Sequence, residues 1–435
     1  MSFIENQLKI YNVATEPTRL SVLFLCFLIL LYREPDGFFN PQFWAEDGAI
    51  FFQQNLILGL PALLEPYAGY LHVIPRLISY FSGFFPVSFA PALYNFSALV
   101  LTLFVINYLF SPRIQLPFKP LLAIAIVLVP TDGEILMNIT NIQWFLLLIL
   151  ILFIIQDKPN TRNQLLLDTI IITLIGLSGP FIVLFLPLFI FRFIYICRSY
   201  YSVYLLSIAL LLALIQGYFL WQTTVELPAF SEDYDKYGLE ILVPILAIRL
   251  SGCLFFGDYL SLAISNFSAL KTLSGNLYFG DYVSLAFNFP GLIGLTGLAI
   301  IVPAGLLTLA VSKPRKLPVV VFLASGIVII AATFYKFRNN LPALAPCYGG
   351  PRYFYTMHLS IIWSLIICLD SDKIIKSVSA LLLLMALLSA FTHFQVPPLR
   401  DFHWEKYTQQ IERGEAVKIP INPDGWFVSI PSRAP

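Results

Sequence analysis

Two adjacent carboxylates, Glu46 and Asp47, stand between Trp44 and Gly48 in the first polar stretch of the chain. One interpretation is structural, because acids at a helix N-terminus stabilise the helix dipole. The other is chemical: one carboxylate deprotonates a hydroxyl nucleophile, while its neighbour orients that group or holds a divalent cation near a phosphate. The aromatic surroundings favour the chemical interpretation, because dehydration beside a second negative charge raises a carboxyl pKa into the range of a general base.

A second polar stretch covers residues 130–144, where Glu134, Asn138 and Asn141 are spaced four and three residues apart. On a helix these side chains would share one face. Unpaired amides are costly in hydrocarbon, so their position before an apolar run favours a polar site at this point. Capping of the helix that follows is the alternative explanation.

Cationic candidates for a phosphate contact are Arg352, which lies between two glycines and Tyr353, and Arg76. A guanidinium binds phosphate with paired donors, and glycines allow the backbone to approach a ligand closely. We expect Arg352 to make the contact, with Arg76 as the reserve, while anchoring to lipid headgroups is the competing explanation for Arg352. His72, in the same loop as the acidic pair, either binds sugar or phosphate or is structural.

These polar groups are set in a strongly apolar chain of 435 residues. Hydrophobic residues make up 58% of it and charged residues 12%, whereas soluble domains carry about 25% charged residues. A water-soluble protein of this size needs a charged surface that this composition does not supply. The formal net charge of +1 gives no support to nucleic-acid binding. The predicted fold class is an all-α polytopic membrane protein.

About eleven apolar segments are candidates to cross a bilayer, which needs roughly 20 apolar residues. They lie near 18–34, 89–110, 119–132, 142–156, 165–178, 180–196, 202–221, 291–311, 317–335, 357–370 and 376–394. Lys and Arg concentrate in alternate connections, which predicts a cytoplasmic N-terminus and an external C-terminus. The large connections, among them a first external loop at about 35–88 and a second at about 222–290, then face outward. Their aromatic residues predict helices lying in the membrane interface.

The chain is therefore divided into a transmembrane domain of residues 1–394 and a short external tail of residues 395–435, expected to be an extended piece with turns. The N-terminus has no cleavable signal pattern and is expected to be a retained anchor. The five cysteines show no paired spacing, which predicts small apolar fillers and neither a disulfide framework nor a zinc site. The four histidines are dispersed and do not have the spacing of a zinc site.

The stretch Trp44-Ala45-Glu46-Asp47-Gly48, followed by Tyr67-Ala68-Gly69-Tyr70-Leu71-His72 and Pro75-Arg76, resembles the GT-C superfamily of polyprenyl-phosphate-dependent membrane glycosyltransferases. The likeness is to bacterial members near those that decorate O-antigen. It implies that a first-loop acid is the catalytic base, here Asp47 assisted by Glu46, and that Glu134 or Asp132 lines the same site. The acids are adjacent, unlike the acid-x-acid spacing usual in the family, so whether a Mg²⁺ or Mn²⁺ ion binds Glu46 and Asp47 stays open.

The resemblance implies a transferase that moves a sugar from a polyprenyl-phosphate carrier to a cell-surface glycan or lipid-linked acceptor on the external face of the bacterial inner membrane. The sequence lacks Walker-type and G-x-G-x-x-G phosphate loops, which disfavours a nucleotide sugar as the direct donor. Arg352 and Arg76 would hold the carrier phosphate, with Tyr353 and His72 nearby, and Glu134 and Asn141 would shape the sugar pocket. Expected partners are the donor, the acceptor and membrane lipids.

Two other functions stay open. A lipid-linked sugar flippase would place charged residues inside its spans, where Asp168 and Arg249 are the positions to examine. A polysaccharide polymerase or ligase would share the same partners but use a lipid pyrophosphate donor.

Overall fold

The computed structural model describes residues 16–131, 133–222, 242–257, 313–338, 341–344, 347, 350–392 and 394–432. The chain forms two compact units that alternate along the sequence. The Asp47 unit consists of Leu23–Arg113, Ile135–Val225 and Gln395–Pro435. The Arg352 unit consists of Met1–Val22, Ile114–Glu134 and Glu226–Phe394.

The helices of the Asp47 unit come from all three of its segments. Helix α1 covers Glu16–Arg33, of which residues 23–33 belong to this unit. The α-helices that follow are α2 (Asp36–Phe39), α3 (Gln53–Leu58), α4 (Val73–Ser82), α5 (Ala90–Leu109), α7 (Gln143–Ile155), α8 (Arg162–Gly176), α9 (Phe181–Phe191), α10 (Tyr200–Gln222) and α15 (Glu405–Glu412). Tighter or wider helical turns cover Asp47–Phe52, Leu60–Leu64, Val87–Phe89 and Arg192–Ile196.

The Arg352 unit is built from fewer described helices. They are α6 (Lys119–Leu128), α11 (Leu242–Ala247), which continues into a π-helical segment at Ile248–Phe256, α12 (Lys313–Lys336), a 3-10 turn at Leu341–Leu344, α13 (Arg352–Cys368) and α14 (Lys373–Thr392). Helix α13 is anchored to α6 by its aromatic side chains, since Tyr355 Oη donates to the carbonyl of Ile126 and Trp363 Nε1 to that of Leu122.

Four helices in the described part of the chain are long and apolar enough to span a membrane: Val87–Leu109, Tyr200–Gln222, Lys316–Lys336 and Lys373–Thr392. The structure therefore fits an all-α membrane protein but not the predicted eleven or so spans. Several predicted spans are shorter helices of 10–17 residues, such as α6 and α7, and at 1.5 Å per residue these fall short of a hydrocarbon core of about 30 Å. The predicted span at 291–311 lies outside the described residues.

Helix α7 shows why an apolar run need not be a span. Its residues from Gln143 to Ile154 are all buried within the protein. A helix that is apolar on every side fits a protein core as well as it fits lipid, so hydropathy alone could not separate the two cases.

The C-terminal tail contains the one sheet among the described residues. Strands β1 (Val417–Ile421) and β2 (Trp426–Ile430) pair in an antiparallel hairpin, with Ile419 opposite Val428. The turn includes Gly425 at φ 94°, a left-handed conformation that glycine adopts at little cost. The tail is therefore a short helix followed by a hairpin, which is more ordered than the extended piece predicted.

Cys253 and Cys347 form a disulfide bond, with their Cα atoms 5.5 Å apart. The prediction that the cysteines are unpaired fillers was wrong for this pair, because 94 residues separate the two partners and spacing along the sequence did not reveal their proximity. Cys26 and Cys368 are buried, and Cys197 is exposed.

Asp168 is locked into a buried ion pair with Arg113. Two guanidinium nitrogens of Arg113 donate to the two carboxylate oxygens of Asp168 at 2.9 and 2.7 Å. Tyr201 Oη also donates to Asp168 at 2.5 Å, and Gln156 Nε2 donates to Tyr201 at 2.8 Å. Paired donors to both oxygens make this one of the stronger kinds of side-chain contact, and it holds the loop before α6 to helices α8 and α10.

Candidate functional site

Asp47 begins a π-helical segment, Asp47–Phe52, and its carboxyl group is almost completely buried, with 1% of the residue exposed. The two carboxylate oxygens accept hydrogen bonds from the second polar stretch. The amide of Ile139 donates to Oδ2 at 3.2 Å and the amide of Thr140 to Oδ1 at 2.8 Å, while the Thr140 hydroxyl makes a short bond to Oδ1. The carboxylate is thus aimed away from its own helix, and Glu46 at the N-cap makes no side-chain cap.

The pKa of Asp47 is raised to about 7. Burial is the largest cause, because it disfavours the charged form. The hydrogen bonds from Thr140 and Ile139 act in the opposite direction, and the neighbouring negative charge of Glu46 raises the pKa further. A carboxyl that titrates near neutral pH is suited to general base work.

Glu46 and His72 are connected through Tyr67. Tyr67 Oη donates to Glu46 Oε1 at 3.3 Å, and His72 Nε2 donates to the Tyr67 carbonyl at 3.2 Å. Burial and the nearby positive charge of Arg76 lower the pKa of His72 to about 3, so the ring is neutral at physiological pH. With Nε2 carrying the proton, Nδ1 is an acceptor, and it has no hydrogen-bond partner within the described residues.

Arg76 is a buried cation in helix α4, with 1% of the residue exposed. None of its three guanidinium nitrogens has a hydrogen-bond partner in the part of the chain that the structure describes. Its Cζ lies 5.2 Å from the centre of the Phe51 ring. Burial lowers its pKa to about 10, so it remains protonated at neutral pH. Buried charge is costly unless it is paired, and this guanidinium therefore marks a place where an anion would be stabilised.

Asp47 and Arg76 share surroundings. Tyr94 interacts electrostatically with both of them. Its hydroxyl donates to Ser79 Oγ at 2.7 Å, and Ser79 Oγ donates to the Phe51 carbonyl at 2.8 Å. Asp47 and Arg76 thus both lie near the small polar network of Tyr94 and Ser79 beside Phe51.

The second polar stretch is not the helix that its spacing predicted. Helix α7 begins only at Gln143, and Met137 before it has a left-handed backbone at φ 49°. The side chain of Asn138 closes the turn, accepting from the amide of Asn141 at 2.9 Å and donating to the Leu136 carbonyl at 2.7 Å. The prediction that Glu134, Asn138 and Asn141 share a helix face was therefore wrong, because the helix begins after all three. The turn in its place lets the amides of Ile139 and Thr140 reach Asp47.

The Arg352 unit holds a second cluster of charges at the start of α13. Arg352 forms an ion pair with Glu134, and both side chains are partly exposed. Lys336 Nζ donates to Tyr353 Oη at 2.7 Å, and Arg352 Nη2 donates to the same hydroxyl at 3.4 Å. Both cations therefore contact one tyrosine hydroxyl, and Arg352 also pairs with a carboxylate. Lys336 was not among the predicted site residues.

The predicted site residues fall into two groups. Glu46, Asp47, His72, Arg76 and Asn141 belong to the Asp47 unit, whereas Glu134, Arg352 and Tyr353 belong to the Arg352 unit. Asp132 and most of the loop at about 222–290 lie outside the described residues. Sequence reasoning missed Ile139 and Thr140, whose only signal was the polar segment Asn138-Ile139-Thr140-Asn141.

The acidic pair is engaged by hydrogen bonds from the protein, and metal binding by Glu46 and Asp47 stays a prediction. Both oxygens of Asp47 already accept protein hydrogen bonds, and Glu46 accepts one from Tyr67. Among the residues that the structure describes, no three His, Cys, Asp or Glu side chains form a group able to hold a metal.

Comparison of the chain with known protein families, with curated proteins and with solved structures finds no match. The resemblance to GT-C glycosyltransferases therefore stays a hypothesis carried by the first-loop motif and the apolar pattern. The function has to be inferred from the chemistry of the two clusters.

Proposed function

We propose that the protein is an integral membrane glycosyltransferase of the GT-C type, which moves a sugar from a polyprenyl-phosphate carrier to a glycan or a lipid-linked acceptor. The observation that carries the proposal is Asp47: a buried carboxyl with a pKa of about 7, aimed by the backbone of a neighbouring loop. The same unit buries the guanidinium of Arg76, whose nitrogens have no hydrogen-bond partner among the described residues.

In the proposed reaction Asp47 accepts the proton of an acceptor hydroxyl. The hydroxyl oxygen forms a bond to the anomeric carbon of the donor sugar, and the bond from that carbon to the carrier phosphate oxygen breaks with its electron pair on the phosphate. The products are the new glycoside, the carrier phosphate and a protonated Asp47, which returns its proton to water. Glu46 maintains the raised pKa of Asp47 by its negative charge. No nucleotide is consumed in this scheme.

Arg76 is the better candidate for the phosphate contact, which reverses the order predicted from the sequence. Its three nitrogens lack acceptors among the described residues, whereas Arg352 already pairs with Glu134. A phosphate oxygen would supply the acceptor that Arg76 lacks. Arg352, Lys336 and Tyr353 form the second candidate group for phosphate binding, and His72 Nδ1 is an acceptor available to a sugar hydroxyl.

The proposal includes the inner membrane location and the outward orientation of the large loops. Cys253 lies in the predicted external loop at about 222–290, and Cys347 lies in the predicted external connection between the spans 317–335 and 357–370. The two cysteines form a disulfide, and disulfides persist in oxidising compartments. The first loop also exposes large apolar side chains at Phe81, Phe84 and Phe85, which is typical of a segment lying in the membrane interface.

The two charged residues that would favour the flippase alternative, Asp168 and Arg249, are engaged in contacts inside the protein. Asp168 is fully engaged by Arg113 and Tyr201, and Arg249 is buried with its Cζ 4.1 Å from the centre of the Phe354 ring. These side chains serve packing within their units, so no described charge is assigned to a transport path.

A donor panel tests the proposal. Purified protein in nanodiscs is mixed with a series of undecaprenyl-phosphate sugars and an acceptor extract, and release of undecaprenyl phosphate is followed for wild type and Asp47→Asn. Release by wild type alone supports the transferase and identifies its donor. Release of undecaprenyl pyrophosphate from a pyrophosphate-linked donor would instead identify a polymerase or ligase. If no donor is consumed while wild type moves the lipid across a vesicle bilayer, the transferase proposal fails and a flippase replaces it.

A further inference from the structure

We infer that the C-terminal tail is a clamp that positions Asp47. The tail clamp is defined as residues 400–430, comprising α15 and the hairpin β1–β2. The inference rests on the proposed function for its catalytic meaning, while its structural content, control of the Asp47 environment, can be tested without any activity.

The clamp holds the backbone immediately before the acidic pair. The amide of Ala45 donates to the carbonyl of Asn422 at 2.5 Å, and Trp44 forms a parallel bridge with the same residue. Ala45 has a left-handed backbone at φ 41°, a conformation that costs energy for a residue with a side chain. Strained backbone persists where its surroundings hold it, and here the tail supplies the hydrogen bond that does so.

The clamp also packs against the residue that follows Asp47. A Cβ atom added at Gly48 would lie 2.8 Å from Ile421 Cδ1 and 2.9 Å from Val428 Cγ2. One side chain from each strand of the hairpin therefore packs against the backbone of the π-helical segment at Gly48, the residue after Asp47. Any larger residue at Gly48 has to displace either the hairpin or the segment that carries Asp47.

One hydrophobic core joins the tail to the acidic motif. Trp404 packs edge-on against Phe43 and Phe52, with ring centres 4.9 and 5.3 Å apart, and its Nε1 donates to the Val87 carbonyl at 3.0 Å.

The amide of Ser429 donates to the side chain of Gln53 at 2.7 Å. The same core contains Ile139 from the loop that binds Asp47, so the clamp supports both the carboxylate and its hydrogen-bond donors.

The tail residues in the clamp are therefore positioning residues. They fix where the Asp47 carboxyl lies and how well it is shielded from water. Loss of this shielding should expose the carboxyl, bring its pKa down towards the value of an ordinary aspartate and misplace the base. A misplacement of about 1 Å can lower turnover on the order of 10²-fold.

The test uses full-length Gly48→Ala, which adds one methyl group against the hairpin. The matched control is Gly217→Ala in α10, where an added Cβ meets nothing within 4 Å. The rescue variant is Gly48→Ala combined with Ile421→Val and Val428→Ala. These changes remove Ile421 Cδ1 and Val428 Cγ2, the two atoms that would lie closest to the added Cβ. Labelling of Asp47 by a water-soluble carbodiimide with glycine ethyl ester is quantified by mass spectrometry, alongside the pH profile of kcat.

We expect severalfold more labelling of Asp47 in Gly48→Ala than in wild type or Gly217→Ala. The rescue variant should return to the wild-type level of labelling. The acid limb of the kcat profile of Gly48→Ala should move to lower pH. If Gly48→Ala does not fold, Val428→Ala alone loosens the same contact and should also raise the labelling. Wild-type labelling in folded Gly48→Ala and in Val428→Ala would overturn the clamp. Increased labelling with no transfer by any protein would support the clamp and contradict the proposed function.

Discussion

Thr140 donates twice to one oxygen of Asp47, from its amide at 2.8 Å and from its hydroxyl, although the two residues are 93 positions apart in the sequence. The bonds stabilise the ionised carboxyl, whereas burial destabilises it. The balance gives a pKa of about 7. The hydrogen bonds from the second polar stretch thus keep the pKa of the Asp47 carboxyl below the value that burial alone would give it.

Thr140→Val removes the hydroxyl donor and nearly preserves the shape of the side chain. Because that hydrogen bond favours the ionised form, its loss should raise the pKa of Asp47. A hydrogen bond to a charged group contributes roughly 1.5 kcal/mol, which corresponds to about one pH unit. The acid limb of the pH–kcat profile should move up by that amount, while Thr169→Val, a control in α8, should not move it. An unchanged limb in Thr140→Val would contradict the assigned role.

Asp47→Asn should be increasingly stabilising, relative to wild type, as the pH rises from about 4 to about 7. The folded protein binds the Asp47 proton more tightly than the unfolded chain does, because its pKa is raised from 3.8 to about 7. Wild type therefore loses stability through this window, by up to about 4 kcal/mol, and a side chain that cannot ionise does not. The measurement is the Tm difference between the variants at several pH values. Asp372→Asn, on an exposed residue, is the control, and a Tm difference for Asp47→Asn that is flat across this range would contradict the raised pKa.

Arg76→Met should raise the Tm and abolish binding of undecaprenyl phosphate. The variant replaces a buried cation that lacks a hydrogen-bond acceptor among the described residues with an apolar side chain of similar length. This removes the desolvation penalty of a buried ion, which is on the order of several kcal/mol. Thermal unfolding and lipid binding in nanodiscs check the two effects. Arg162→Met, on an exposed arginine at the start of α8, should change neither. A lower Tm with unchanged binding would show that Arg76 is structural.

Asp168→Asn should destabilise the protein without altering the chemistry. Removing one member of a buried ion pair leaves Arg113 uncompensated, which typically costs about 3–5 kcal/mol. The Tm should fall, while kcat per folded molecule stays at the wild-type value, and Asp372→Asn on the surface should be neutral. A normal Tm together with lost lipid movement would revive the flippase alternative.

Local chemistry was the part of the site that the sequence could predict. Glu46, Asp47 and Arg76 were recognised because charged residues among aromatic ones are conspicuous in an apolar chain. Their partners were not, because Thr140 reaches Asp47 and Glu134 reaches Arg352 over 93 and 218 residues. Contacts at such separations depend on the tertiary fold, and no pattern in a single sequence records them.

The fold was predictable in class but less so in detail. Composition indicated a helical membrane protein, yet α7 is a buried core helix and hydropathy predicted it as a span. The hairpin was predictable: Val417, Ile419 and Ile421 alternate with other residues, and Asp424-Gly425 precedes a second alternating run, a pattern typical of a hairpin. The Pro and Gly spacing of the tail had been interpreted only as an extended piece with turns.

Single-turnover kinetics with a donor identified in the panel test the central claim most directly. Wild type, Asp47→Asn and Glu46→Gln are saturated with the undecaprenyl-phosphate sugar, and both the transfer rate and the donor Kd are measured. Since a general base typically contributes about 10²–10⁴-fold in rate, Asp47→Asn should lose that much transfer with an unchanged Kd, and Glu46→Gln should lose less. Near wild-type transfer by Asp47→Asn would contradict the assignment of Asp47 as the base.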